Sequence, residues 1–366
     1  MKTVDICVIG GGPAGLNAAL AASAGGASVL LLDDADHLGG QLVKQTHMFF
    51  GSEKQQAGTR GIDIATALTN AVQGMPSIEV WLEATALGLY DDSVLTAECQ
   101  GEYRKVRAKR FVVATGASEK MLAFKGNDLP GVYGAGAVQT LMNVFGIKPG
   151  QRVLMVGAGN IGLIVSYQLL QAGVKVEAIV EGSPYIGGYL VHASKVRRAG
   201  VPILTSHTIL EAYGQEAVEG AVICQLDSAW QPIKGTEQRL AVDVICLAVG
   251  LSPLSDLLWQ ADCRMVYIPE LGGHVAWRDE NLRTSLPHIY IAGDVAGIEE
   301  ASSAMVEGLL AGYAAAKDIG LAPSDVSERL QTAREQLVEL RSGPVGEKIR
   351  FGLDSIQRGD GNGQSA

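Results

Sequence analysis

The sequence predicts an α/β protein with two Rossmann-like dinucleotide-binding domains, each built in three layers (ββα). Two observations carry the prediction. The apolar run Val4 to Ile9 turns through Gly10-Gly11-Gly12-Pro13-Ala14-Gly15 into a helix-forming stretch. The same pattern recurs as Val153-Leu154-Met155-Val156 followed by Gly157-Ala158-Gly159-Asn160-Ile161-Gly162. Two complete fingerprints in one chain argue for two dinucleotide sites, and chance explains the pair poorly.

Each piece has a physical reason. A short β-branched run such as Val4 to Ile9 suits a buried parallel strand. Gly10 permits the turn, Gly12 lets a pyrophosphate approach the backbone, and Gly15 lets the helix pack close on the strand. The helix then offers free N–H groups and its positive dipole end to phosphates. Val29 to Leu32 is the second strand, and Asp33 follows it, eighteen positions past Gly15, where an acid binds ribose hydroxyls. In the second copy the helix runs from Leu163 to Ala172 and the next strand from Val174 to Val180. Glu181 ends that strand, nineteen positions past Gly162.

Between the fingerprints, Gly39-Gly40-Gln41 opens a loop that continues through Lys44, His47, Met48, Phe49, Phe50 and Gly51 without clean periodicity. Ile62 to Val72 is expected to be helical and Ile78 to Leu82 a strand. Residues 84–110 alternate in short pieces broken by Asp91-Asp92 and Gly101, which predicts an antiparallel meander. Phe111 to Val113 is a buried strand ending in Ala114-Thr115-Gly116. A helix follows around Ala137 to Val144. Residues 220–247 alternate again, and Val242 to Val249 is a strand ending in Gly250. Ile289 to Asp294 reads as a strand and loop feeding a helix from Ala301 to Lys317. Residues 324–341 form an amphipathic helix with Val326, Leu330, Ala333, Leu337 and Leu340 on one face. That face suits packing on the body or contact with a second subunit. Residues 359–366 are expected to be disordered.

Composition bounds the rest. The 366 residues allow two domains of roughly 150 residues each. A net charge of −10 argues against a broad nucleic-acid surface. No apolar run approaches the ~18 residues of a membrane span. Lys2 and the apolar residues after it invite a signal-peptide reading, but the strand–turn–helix motif consumes that stretch, so cytoplasm is expected. None of the five cysteines forms C-x-x-C or another close pair, which removes the signature of a dithiol centre or a cysteine zinc site; no metal is expected. Cys7 and Cys246 lie in expected buried strands and read as small core residues.

The order of these pieces resembles the two-dinucleotide-fold flavoprotein oxidoreductases. Over roughly residues 3–317 it is similar to the thioredoxin reductase-like branch. The resemblance implies FAD in the first site and a nicotinamide nucleotide in the second, in a domain inserted into the FAD domain. The FAD domain would comprise 1–117 and 284–366, and the NAD domain 118–283. Carried over, Gly10, Gly12, Pro13, Ala14 and Gly15 would meet the FAD pyrophosphate, and Asp33 its adenosine ribose. Gly40 and Gln41 would lie along the FAD, with Ala114, Thr115, Gly116 and Gly293 completing its motifs. Asp294 would meet the ribityl hydroxyl or bridge through water to the pyrophosphate. The helix starting at Ala301-Ser302 would point its N–H groups at the flavin pyrimidine edge, where reduction adds negative charge. Gly157, Gly159, Asn160, Ile161, Gly162, Glu181 and Gly250 would hold the nicotinamide nucleotide.

Within that resemblance, Gly250-Leu251-Ser252-Pro253, Gly272-Gly273-His274-Val275, Arg278-Asp279-Glu280, Arg283-Thr284-Ser285 and Ala292 to Gly297 look like the FAD-binding subunits of opine, proline and hydroxyproline dehydrogenases. Hydrogen cyanide synthase and sarcosine oxidase subunits share the pattern. Such subunits often work beside a second flavin subunit that oxidises a C–N bond. The missing C-x-x-C departs from the disulfide branch, and the loop after Gly39-Gly40 lacks the cysteine of peroxidase-type enzymes. Thioredoxin, glutathione and peroxide reduction are therefore rejected. No cysteine follows Cys263, so an iron–sulfur relay would need a partner.

Glu181 favours a free ribose 2′-OH and repels a 2′-phosphate, which selects NAD(H) over NADP(H). The fold could also hold ADP or ATP. The expected function is hydride transfer between NAD(H), FAD and a second donor or acceptor, in one component of an amine or imino-acid dehydrogenase complex. The expected partners are a small-molecule substrate, a second flavin or iron–sulfur subunit, or a second copy of the chain. A freestanding NADH-dependent reductase of quinones or electron carriers is one alternative. A non-catalytic, nucleotide-loaded relay subunit is another. His47 is the first candidate for moving the proton, since its loop should run towards the flavin; Lys44 is the next.

Overall fold

Both glycine turns join a strand to a helix and back to a parallel strand. In this computed structural model, which describes residues 1–49, 53–343 and 346–358, the first unit is β1 (Lys2–Ile9), α1 (Pro13–Ser23) and β2 (Val29–Leu32). The second is β3 (Arg152–Val156), α2 (Asn160–Gln171) and β4 (Lys175–Glu181). β1 pairs parallel with β2 from Ile6↔Val29 to Ile9↔Leu32, and β3 pairs parallel with β4. The strands end where Asp33 and Glu181 were expected to close them.

The chain divides into two compact units, residues 1–118 with 251–366, and residues 119–250. The sequence placed residues 251–283 with the inserted segment; the structure places them in the first unit. The reason is packing. Leu258, Ala261, Cys263 and Ala276 are buried in one cluster with Leu89, Leu95, Phe111 and Ile289. The Gln260 side chain adds hydrogen bonds to the backbone at Leu87 and Leu89.

The sheet of the first unit orders Ile78–Trp81, β2, β1, Glu102–Val113, Val94–Cys99 and Ala84–Tyr90. Ile289–Ile291 also joins Glu102–Val113, at its far end. The last three strands of the ordered path form the expected antiparallel meander. Alternation along β1 makes the layers: Ile6 and Val8 enter the cluster with the helices, while Cys7 and Ile9 enter the cluster with the meander.

The second unit repeats the plan. Its parallel sheet orders Ile203–Thr205, β4, β3, Val244–Leu247 and Val132–Gly134. Val153 and Met155 pack with α2, and Leu154 and Val156 pack with an antiparallel sheet of His207–Tyr213, Gly220–Gln225 and Gln238–Leu240.

In the first unit α3 (Ala301–Asp318) lies directly on α1. The contact is between backbones. A Cβ on Gly308 would sit 2.1 Å from the Ala14 carbonyl oxygen, and one on Gly312 would sit 2.4 Å from that of Ala18. α4 (Val326–Leu340) then covers this core with Val326, Leu330, Ala333 and Leu337, while Leu340 packs against it partly buried. The predicted apolar face is therefore used on the body of the protein. A further helix, Glu347–Arg358, was not anticipated; its Ile349, Leu353 and Ile356 pack on Val266, Ile268, Leu271 and Val275. Phe50, Gly51 and residues 359–366 lie outside the described residues. Among the described residues no helix is long and apolar enough to cross a membrane.

Replacing Gly312 by Val forces α3 away from α1. The variant should lose about 1–3 kcal/mol of stability, read from urea unfolding midpoints, and Gly312→Ala, which adds only the Cβ, should lose less.

Candidate functional site

The start of α1 gathers most of the residues singled out in the first half of the chain. Gly10 adopts a φ of 103°, and a Cβ there would fall 2.3 Å from the Ala114 carbonyl oxygen. Gly10 is thus the residue that lets β1 turn beside the end of the next strand. Over Gly12 the space is open: the nearest atom to an added Cβ is the Gly40 Cα at 3.9 Å. Gly12 is also the N-cap of α1 and makes no side-chain cap, so the helix presents bare N–H groups to that space. This is a cradle of the kind a pyrophosphate fills.

The acid behind the cradle is tied to it. The Asp33 carboxylate accepts from the Gly11 N–H and from the Ala35 N–H at 2.9 Å. Burial raises its pKa against those two hydrogen bonds. Gly39 donates its N–H to the Gly11 carbonyl at 2.9 Å, which lays the Gly39-Gly40-Gln41 segment over the turn. From the other side Gly293 presses on Ala14: an added Cβ would lie 2.8 Å from the Ala14 Cβ. Thr115 and Gly116 follow Ala114 and bind Leu254, the Thr115 hydroxyl to its carbonyl at 2.7 Å and the Gly116 carbonyl to its N–H at 2.9 Å.

Beside Gly293 lies a group of charges that sequence reasoning missed. The Glu307 carboxylate, on α3, accepts from the Gly293 N–H at 2.9 Å and from the Arg341 guanidinium at 2.5 Å. Arg341 also donates to Glu299 at 2.7 Å. Glu307 is 2 % exposed and Arg278, which faces the same carboxylates, 3 %. Burial opposes the charge on Arg341, but the two glutamates outweigh it and raise its pKa. Asp294 keeps some solvent exposure as a residue, yet protein surrounds its carboxyl. Desolvation, with the nearby Glu307 and Glu299 carboxylates, pushes its pKa up to about 7 against a hydrogen bond from the Glu299 backbone. Burial likewise raises the Glu307 pKa, against the pull of Arg341. One signal of this group was visible: Glu307 is the lone acid inside an otherwise apolar helical face from Ala301 to Ala316.

α3 begins at Ala301 with no side-chain cap from Glu300, and Ser302 is buried. The loop after Gly40 reaches this helix. Leu42 and Phe49 are buried with Ile64, Ala65 and Met305, and Ala301 packs against them. The His47 ring stacks on Phe49 with centroids 6.0 Å apart, and Met48 is exposed. Lys44 closes the short 3-10 helix Gly40–Lys44.

The second unit repeats the construction. A Cβ on Gly157 would sit 2.3 Å from the Ala248 carbonyl oxygen, and over Gly159 nothing lies within 4 Å. The Glu181 carboxylate accepts from the Ala158 N–H at 2.8 Å and the Ser183 N–H at 2.9 Å, the same two positions that hold Asp33. Gly188 donates to the Ala158 carbonyl at 2.9 Å, and the Asn160 side chain accepts from the Tyr189 N–H at 2.8 Å. Gly187-Gly188 therefore does for the second turn what Gly39-Gly40 does for the first. The signal was in the sequence, since Leu38-Gly39-Gly40-Gln41-Leu42 and Ile186-Gly187-Gly188-Tyr189-Leu190 stand at equal distances after the two acids. Ile161 is exposed on the first turn of α2, and Gly250 follows the strand Val244–Leu247.

Residues 4–308 match the model of a protein family described as pyridine nucleotide-disulphide oxidoreductase. The alpha subunit of the sarcosine oxidase of Rhizobium meliloti (strain 1021) is 29 % identical over 332 residues, which cover 87 % of this chain and 31 % of that relative. An opine oxidase subunit of Agrobacterium tumefaciens (strain Ach5) is 29 % identical over 339 residues, covering 88 % of this chain and 67 % of that one. The chain thus spans about a third of the first relative and two thirds of the second. The L-proline dehydrogenase of P. horikoshii superposes with a TM-score of 0.70 at 24 % identity, over 91 % of this chain and 59 % of that one, and shows the same fold.

Asp294 makes folding stability fall as pH rises. Between its ordinary value of 3.8 and about 7 the folded protein holds a proton that the unfolded chain releases. Asp294→Asn should remove that slope, a change on the order of a few kcal/mol across the window, measured by urea unfolding at pH 5 and pH 7.5. Equal slopes in the two proteins would sink the assignment.

Proposed function

The chain belongs to the pyridine nucleotide-disulphide oxidoreductase family, and from that premise we propose that it is an FAD-dependent oxidoreductase passing a hydride between NAD(H), flavin and a second donor or acceptor. In this reading it is one component of a dehydrogenase complex acting on an amine or imino acid. The observation that carries the proposal is the pair of open glycine cradles, each backed by an acid held on the turn. Family membership supports FAD. We assign it to the first cradle, because Gly293-Asp294 and the start of α3 stand beside that glycine turn.

FAD supplies the two-electron hydride chemistry when bound. The residues around it bind and orient. Gly10, Gly12 and Gly15 admit the pyrophosphate, Asp33 takes the adenosine ribose, and Gly40 and Gln41 close over the length of the site. Asp294 would meet the ribityl hydroxyls, where a pKa near 7 would let it donate as well as accept. The start of α3 offers N–H groups and a positive dipole end, which stabilise negative charge arising there. His47 is the proposed proton carrier, with Lys44 second.

The second cradle takes the nicotinamide nucleotide. Glu181 selects the free 2′-hydroxyl, and Gly182-Ser183-Pro184-Tyr185 brings no arginine for a phosphate. Disulfide chemistry has no place in the reading. The sequence holds no C-x-x-C, and Cys7, Cys224, Cys246 and Cys263 are buried. The relatives named as subunits of sarcosine and opine oxidases support an amine-type substrate and a partner subunit.

Under anaerobic conditions NADH should bleach the flavin band of the purified protein and NADPH should do so much more slowly. Glu181→Ala should weaken NADH binding about tenfold and narrow the difference. A flavin band that neither nucleotide bleaches would favour a relay subunit instead. Turnover with many quinones by the chain alone would favour a freestanding reductase.

His47→Ala should lower substrate-linked turnover by about a hundredfold with the flavin spectrum unchanged. Full turnover in that variant would pass the role to Lys44.

A further inference from the structure

One exposed aromatic stands beside the second cradle. Trp230 is 61 % exposed, and its indole lies against Gly182, the residue after Glu181. A Cβ on Gly182 would sit 2.5 Å from the indole Cζ3, so only glycine at 182 lets the ring lie there undisturbed. Trp230 comes from the turn between the strands Gly220–Gln225 and Gln238–Leu240.

That turn holds the ring in place. Trp230 has a φ of 60°, a left-handed conformation that a bulky aromatic adopts only under constraint. Asp227 supplies the constraint. Its side chain accepts from the Ala229 N–H at 2.8 Å and the Gln231 N–H at 2.9 Å. Its carbonyl accepts from the Trp230 N–H at 3.0 Å, and its own N–H donates to the Gln231 carbonyl at 2.9 Å. Four hydrogen bonds thus fix the backbone that carries this large apolar ring, which lies against Gly182 and stays 61 % exposed. A fixed, open indole is a ready stacking platform for a base, and it loses little freedom when the base arrives.

Its place identifies the base. Glu181 is oriented on the glycine turn by Ala158 and Ser183, where a ribose-binding acid stands. The base of an adenine nucleotide is bonded to that same ribose, on the side away from the pyrophosphate. Gly182 follows Glu181 directly in the chain and carries the indole against it. We propose that Trp230 is the adenine-stacking residue of the second nucleotide site, and that Gly182 and Asp227 are the positioning residues that hold it there. The inference rests on the reading of that cradle as an adenine-dinucleotide site. It also separates two tasks: Glu181 chooses the 2′-hydroxyl, and Trp230 supplies base affinity without reading the sugar.

The test is calorimetric titration of the full-length, FAD-loaded protein with ADP and, separately, with NADH. Trp230→Ala should weaken both about tenfold, the usual loss when a stacking aromatic is removed. Trp230→Phe should keep most of the affinity, because it keeps a π-face. Reduced nicotinamide mononucleotide, which carries no adenine, should bleach the flavin equally fast in the wild-type protein and in Trp230→Ala. Unchanged ADP affinity in Trp230→Ala overturns the proposal while leaving the second-site reading standing. If wild-type protein binds neither ADP nor NADH, the second-site reading falls and this inference falls with it. If Trp230→Ala and Trp230→Phe lose affinity alike, and the mononucleotide slows in both, the ring is merely structural and the stacking role is overturned.

Discussion

Backbone meets backbone at the start of α1, and the rest of the first unit depends on that approach. Gly15 sits so close to the turn that an added Cβ would fall 1.7 Å from the Gly10 carbonyl oxygen. On the far side, α3 comes down on the Ala14 carbonyl through Gly308. A methyl group at either place would push the helix off the strand or the second helix off the first. The same approach keeps the helix N-terminus bare and the space over Gly12 open. Stability and ligand access therefore come from one steric condition: side chains are missing where segments converge.

The cluster around Glu307 is the electrostatic counterpart of that condition. It joins Gly293 and Asp294 to α3 and to Arg341, just past α4. Buried charges of this kind are costly when one partner is removed, because the other is left without compensation. The cluster thus fastens the end of α4 to the segment that presents Asp294, and its glutamates add to the desolvation that opposes ionisation of Asp294. A carboxyl poised near neutrality is consequently a product first of burial and then of the nearby Glu307 and Glu299 carboxylates.

The two halves share a turn, an acid tied to the turn, and a glycine pair laid over it. They differ in what lies outside those parts. The first has the Gly293-Asp294 segment and the bare start of α3, which suit a cofactor held along its whole length. The second has the Trp230 turn beside its acid. A common scaffold with different outer walls lets one fold present two unlike cradles.

The sequence by itself determined what is local. Glycine spacing, β-branched runs and acid positions specify strand, turn and helix within some thirty residues, so both cradles, β1 to β4 and the apolar face of α4 were legible. It also carried the glycine-pair repeat, though at a weaker level than the fingerprints. Tertiary structure alone decided what joins distant residues. Residues 251–283 belong with the first unit because Leu258 and Ala276 fill a core that Leu95 and Phe111 begin. Arg341 reaches Glu307, and Trp230 reaches Gly182, through chain paths that no periodicity encodes. Backbone propensity acts between neighbours, whereas burial and charge pairing act between whichever residues the fold brings together, and that is why the cradles could be read and their surroundings had to be seen.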